Sequence, residues 1–250
     1  MKIDIGSVPH LNALPLIAGL EKKILLAPPI RLAKLLREGK LNAALVPIAE
    51  LLEHDHSRIR LPLAIVSHGA VRSVYLAHRV PLTQVKTIVF DPESRTSNLL
   101  LKLLLKEDLP HSASWMSPTN PDQADAKILI GDRALASENK LLSEDWQLID
   151  LGQWWSNLTG KPFVYAAWGI RRDQKDKSLE QLLLHAAEDG LPRLKSIATN
   201  QTILPPDTAY DYLTQNIQYE LGEPEWEGLL EFQRRCHRHH LISNILELGR

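Results

Sequence analysis

Up to about residue 172 the chain alternates short apolar runs with amphipathic stretches; from residue 177 onward it reads only as helices. Ile3 and Ile5 flank Asp4 in the two-residue rhythm of a half-buried strand, and Leu14, Leu16, Ile17 and Leu20 follow at helical spacing. An amphipathic helix is predicted over 30–36, closed by Gly39, then a buried strand over 43–47 stopped by Pro47, then a helix over 48–54. Strands follow at 61–66, 73–78 and 86–90, a Leu-rich helix at 98–106, and a short strand around Trp115. A strand at 126–130, helices at 133–142 and 153–158, and an aromatic, β-branched strand at 163–170 complete the alternation. The tail carries helices at 179–188, 191–200, 207–219 and 225–240. Strand–helix–strand–helix order implies parallel pairing through right-handed crossovers. The change of rhythm predicts an α/β protein of two lobes. Residues 1–82 and 171–250 would form the first lobe, with the helical tail packed on it, and 83–170 the second. The chain would cross near 79–86 and 168–173.

A chain of 250 residues, 44% hydrophobic and 24% charged, can bury a core of that size. A net charge of −1 points to no nucleic-acid or membrane-surface partner. One Cys permits neither an intrachain disulfide nor a thiolate metal cluster. There is no apolar run of about 18 residues, and the first residues lack the pattern of a signal peptide, so a cytoplasmic protein is expected.

Two turns offer ligand chemistry. After the first strand, Ser7-Val8-Pro9-His10-Leu11-Asn12-Ala13-Leu14-Pro15 runs into a helix, with Asn12 a plausible N-cap and Pro15 in the first turn. That places Ser7, His10 and Asn12 at the carboxyl end of a strand, where open α/β sheets bind ligands; an ordinary capped turn fits the same residues. No Gly-x-Gly-x-x-Gly is present, so no dinucleotide site is read. Ser94, Arg95, Thr96 and Ser97 open the Leu-rich helix with hydroxyls and a cation and no acid, a helix start free for a carboxylate or phosphate. Simple capping is the competing reading there. Ser73, beside Gly69, and Gly131-Asp132, at another helix start, are further candidates; for Asp132 a plain cap is the better of the two readings. The cluster Cys236-His237-Arg238-His239-His240 supplies at most two ligands on one helix face, so no metal or other cofactor is expected.

Taken together these stretches resemble the chorismate dehydratase family, the first enzyme of the futalosine route to menaquinone. Val8-Pro9-His10-Leu11-Asn12-Ala13-Leu14-Pro15 is similar to its Pro-Tyr-Leu-Asn-Ser/Ala-x-Pro opening, and Asn42-Ala43-Ala44-Leu45-Val46-Pro47 to its Asp-x-Ala-Leu-Val-Pro. Ser67-x-Gly-x-Val-x-Ser73, Ser94–Ser97, Ile130-Gly131-Asp132 and Trp155-x-x-x-Thr159-Gly160-x-Pro162-Phe163-Val164 follow in the family's order. His10 stands where the family has Tyr or Phe, and Asn42 where it has Asp.

The resemblance implies a two-lobed fold like the type II periplasmic binding proteins, with the ligand in the hinge cleft. It implies that chorismate loses water to give 3-[(1-carboxyvinyl)oxy]benzoate, without cofactor. Asn12 would be the catalytic residue, and Ser7, His10, Ser73, Ser94, Arg95, Thr96, Ser97, Gly131 and Asp132 would bind substrate. A small-carboxylate binding or sensor protein on the same fold is the alternative.

Overall fold

The computed structural model describes residues 4–108, 114–116 and 123–249; Ile3 lies outside them. The chain begins with β1 (Ile5–Ser7), a 3-10 turn (Leu11–Leu16), β2 (Ile24–Leu26), α1 (Pro29–Arg37), β3 (Ala43–Pro47), α2 (Ile48–Glu53) and β4 (Ser57–Ser67). It continues through β5 (Val74–His78), β6 (Thr87–Val89), α3 (Arg95–Asp108), β7 (Ser114–Met116), β8 (Ala126–Ile130), α4 (Gly131–Ser143), β9 (Gln147–Asp150) and α5 (Leu151–Thr159). β10 (Phe163–Arg171) leads into α6 (Lys177–Gly190), α7 (Leu194–Asn200) and α8 (Pro206–Asp211). A π-helical turn (Tyr212–Asn216), β11 (Gln218–Glu220) and α9 (Glu223–Arg238) follow.

These strands make two sheets, one of six strands in the order β11-β4-β10-β3-β1-β2 and one of five in the order β7-β6-β8-β5-β9. β1 is parallel to β2 and β3, as the alternation predicts, whereas β10 is antiparallel to β3 and β4, and β5 antiparallel to β8 and β9. The pairing shifts both expected crossing points. The strand expected to close the first lobe, β5, belongs to the second sheet, and the strand expected to close the second lobe, β10, is central in the first. The chain therefore crosses over 68–73 and again over 160–162. The physical reason is that β5 is buried at all five positions and β10 at most of its nine. Runs apolar on both faces carry no alternation to say which sheet covers them.

Two further expectations are corrected. The residues after His10 form a 3-10 turn, with Pro15 inside it, rather than an α-helix capped by Asn12. A proline there removes the N–H that an α-helical ladder would use. The tail is also not wholly helical, since β11 pairs along β4 as the sheet's edge.

The tail nonetheless packs on the first lobe. Phe232 of α9 sits edge-on to Phe163 of β10 and Trp155 of α5, with centroids 4.9 and 5.8 Å away, and Phe163 in turn meets Tyr165 at 4.8 Å. Trp155, Phe163 and Phe232 are almost wholly buried, and the indole N–H of Trp155 donates to the Pro162 carbonyl at 3.0 Å. Edge-to-face rings of this kind add about 1 kcal/mol per pair beyond their burial. The cluster fixes the second crossing at the rear of the cleft.

Candidate active site

The parallel strands β1 and β3 end at Ser7 and Pro47, and the second sheet presents the end of β8 and the starts of α3 and α4 opposite them. Between lies a cleft lined from the first lobe by Val8, His10, Asn12, Leu45, Pro47, Ile65 and Tyr165. The facing wall carries Val71, Ser73, Glu93, Ser94, Thr96, Ser97, Ile130 and Gly131. An apolar middle with polar groups at two ends suits a flat, hydrophobic body bearing charged ends.

The structure brings His10, Asn12, Ser73, Ser94, Thr96, Ser97 and Gly131 together in this lining. It places three other predicted residues outside it. Ser7 is fully buried in β1, its hydroxyl turned to the Val8 carbonyl at 3.4 Å. The guanidinium of Arg95 points away from the cleft onto α2, donating to Glu50 at 2.7 Å and to Glu53. Asp132 fastens the lobes to each other. It accepts the Leu11 amide at 3.0 Å and lies 3.6 Å from His10 Nδ1. Gly131 sits at φ +56°, with its N–H donating to the Ser73 carbonyl at 2.8 Å, and a Cβ there would come within 3.4 Å of the His10 ring. A glycine at this position thus permits both the left-handed turn and the close approach of the lobes.

The electrostatics follow from the helix starts. The first turn of α3 holds no acid, and Ser94 just before it and Thr96 and Ser97 within it are buried. Thr96 Oγ1 accepts the Ala49 amide at 3.1 Å, so a residue of the second lobe satisfies an orphan N–H in the first turn of α2. Glu93 is the carboxylate in the described lining, with Arg133 Nη2 3.5 Å away.

Sequence reasoning missed two tyrosines. Tyr165, on β10, lines the cleft and shares a hydrogen bond with Ser67 at 3.1 Å. Tyr212, from the tail, donates its hydroxyl proton to Ser73 Oγ at 2.9 Å. Burial pushes both phenol pKa values well up, so both hydroxyls keep their protons at neutral pH. Asp150 was also passed over. Its carboxylate caps α5 through Gln153 N–H at 3.0 Å and accepts the amides of Val71 and Arg72 at 3.1 and 2.7 Å, which anchors the first crossing beside the cleft. An Asp directly before an apolar helix start is the signal that could have found it.

Comparison with known proteins places this architecture. A crystal structure of a protein from Archaeoglobus fulgidus superposes with a TM-score of 0.73 at 15% identity, covering 95% of this chain and 97% of that one. A Candida albicans protein described as having the generic periplasmic binding protein fold gives 0.70 at 13% identity, over 99% and 93%. The alkanesulfonate-binding protein of Xanthomonas axonopodis pv. citri, bound to MOPS, gives 0.63 at 15% identity, over 97% and 93%. These establish the periplasmic-binding-protein-like fold. In sequence, the chorismate dehydratase of Thermus thermophilus is 32% identical, covering 84% of this chain and 85% of its own length. That of Campylobacter jejuni is 26% identical, over 92% and 96%. A family model described as menaquinone biosynthesis matches residues 3–238. The chain belongs to that menaquinone-biosynthesis family, together with the chorismate dehydratases of Thermus thermophilus and Campylobacter jejuni.

Proposed function

We propose that the protein is a chorismate dehydratase, a carbon–oxygen hydro-lyase that converts chorismate to 3-[(1-carboxyvinyl)oxy]benzoate and water. The observation that carries this is the pairing of polar ends across an apolar cleft. The α3 start, with its buried Ser94, Thr96 and Ser97, faces the His10–Asn12 turn across the hydrophobic middle. A ring with two carboxylates fits that distribution, one carboxylate at the acid-free start of α3 and the other toward His10 and Asn12.

The chemistry asks little of the protein. The ring loses a proton from C3 and the hydroxyl from C4, and aromatisation drives the elimination. In this reading the substrate's enolpyruvyl carboxylate takes the C3 proton, and Asn12 holds the departing hydroxyl in line, so that positioning supplies most of the acceleration. The substrate is a small molecule, no cofactor is called for, and a cytoplasmic location belongs to the same reading.

The test is direct. Purified protein incubated with chorismate, without added metal or nucleotide, should yield an aromatic product lighter by one water in time-resolved mass spectrometry. Chorismate that binds and stays unchanged would establish the sensor reading instead.

A further inference from the structure

We propose that Tyr212, a tail residue outside the cleft lining, is a positioning residue that fixes the hydrogen-bond sense of Ser73 toward the ligand. The inference rests on reading this cleft as the dehydration site. A phenol has one proton to give, and Tyr212 gives it to Ser73 Oγ at 2.9 Å. The Ser73 oxygen is thereby occupied as an acceptor, and its own proton has the Val71 carbonyl, at a long 3.4 Å. A ligand oxygen in the cleft is the better acceptor. The cleft thus receives one donor, suited to a carboxylate or ether oxygen.

Two further features support the assignment. Tyr212 is fully buried, so no solvent molecule competes for its hydroxyl, and burial disfavours the phenolate that would reverse the pattern. The residue also sits on the π-helical turn Tyr212–Asn216, whose far end is pinned to the same crossing segment by Asn216 Nδ2 donating to the Ala70 carbonyl at 3.0 Å. Single π turns of this kind are often found at functional sites. The tail is therefore indexed against the crossing at both ends of one turn.

Tyr212→Phe removes only the oxygen. Chorismate should bind about five- to thirtyfold more weakly in calorimetry, the worth of one misdirected hydrogen bond, and KM should rise with kcat changed less. Adding Tyr212→Phe to Ser73→Ala should cost less than it costs alone. Tyr219→Phe is the control, since its buried hydroxyl has no hydrogen-bond partner among the described residues, and both readouts should stay at wild-type values. If Tyr212→Phe keeps both the affinity and the KM of wild type, the inference is overturned while the dehydratase reading stands. If wild-type protein does not turn chorismate over, that reading fails, and binding alone decides the role of Tyr212.

Discussion

Replacing Arg95 with Met tests what holds the cleft shut. Arg95 joins α3 of one lobe to α2 of the other, donating to Glu50 at 2.7 Å and to Glu53. Glu50 is wholly buried and keeps a second partner, Arg37, at 2.5 Å, while the Arg95 side chain is 32% exposed. Stripping a buried carboxylate of its only partner costs about 3–5 kcal/mol, and the remaining arginine and the partial exposure reduce this to about 1–3 kcal/mol. The contact exists only where the lobes meet. The loss therefore falls on the closed state, lowering the closed-to-open ratio by about 5- to 150-fold. KM for chorismate should rise by that factor in steady-state assays, with kcat at saturation little changed. Glu53→Gln separates this account from direct ligand binding by Arg95. If Arg95 works through the acids of α2, Glu53→Gln also raises KM. If Arg95 instead contacts a substrate carboxylate, freeing it from Glu53 lowers KM, and that result would refute the reasoning.

Asn12→Ala, shown folded by circular dichroism, should still bind chorismate in calorimetry but turn it over at least about tenfold more slowly; full activity would remove the chemistry from the opening turn. Thr96→Asp combined with Ser97→Asp places negative charge at the start of α3, and at about 5 Å from a ligand carboxylate the repulsion, about 3 kcal/mol at an effective dielectric of 20, should weaken chorismate binding roughly a hundredfold. Glu93→Gln should retain activity within about threefold if the substrate's own carboxylate removes the C3 proton, whereas a loss of about a hundredfold or more in kcat would make Glu93 the base. Gly152→Ala puts a Cβ 2.5 Å from both the Gly69 carbonyl and the Tyr165 hydroxyl, and thermal denaturation should register about 1–3 kcal/mol of overpacking.

Local structure was legible in the sequence where one rhythm dominated. The strand at 43–47 coincides with β3, and the helix expected over 30–36 is α1, with Gly39 beyond it at φ +70°. Partnership was not legible. β5 and β10 read as strands, but their runs are buried on both faces and name no neighbour, so each was assigned to the wrong sheet. β11 was lost inside an apparent helix, although buried Ile217, Tyr219 and Leu221 alternate with exposed Gln218 and Glu220 in a strand's rhythm. At the site, the helix start at Arg95 showed in its hydroxyls and lack of acid, and seven of the expected residues share one lining. The direction of the Arg95 guanidinium did not show, because Glu50 and Glu53 lie more than forty positions earlier. Tyr212 carries no local mark at all; its meaning comes from Ser73, 139 positions away.

The placement of β10 between β3 and β4 bears on how the chain is made. β3 and β4 emerge from synthesis nearly together, yet the strand that separates them follows only after the whole of the second sheet. Until then Leu45, Val46, Ile65 and Val66, all buried in the finished sheet, flank a slot with no occupant. The five strands of the second sheet, by contrast, come from one uninterrupted segment and can pair as soon as β9 is complete. Nascent chains should therefore acquire the second lobe first and the first lobe last. Premature pairing of β3 with β4 is the error that this order of events invites.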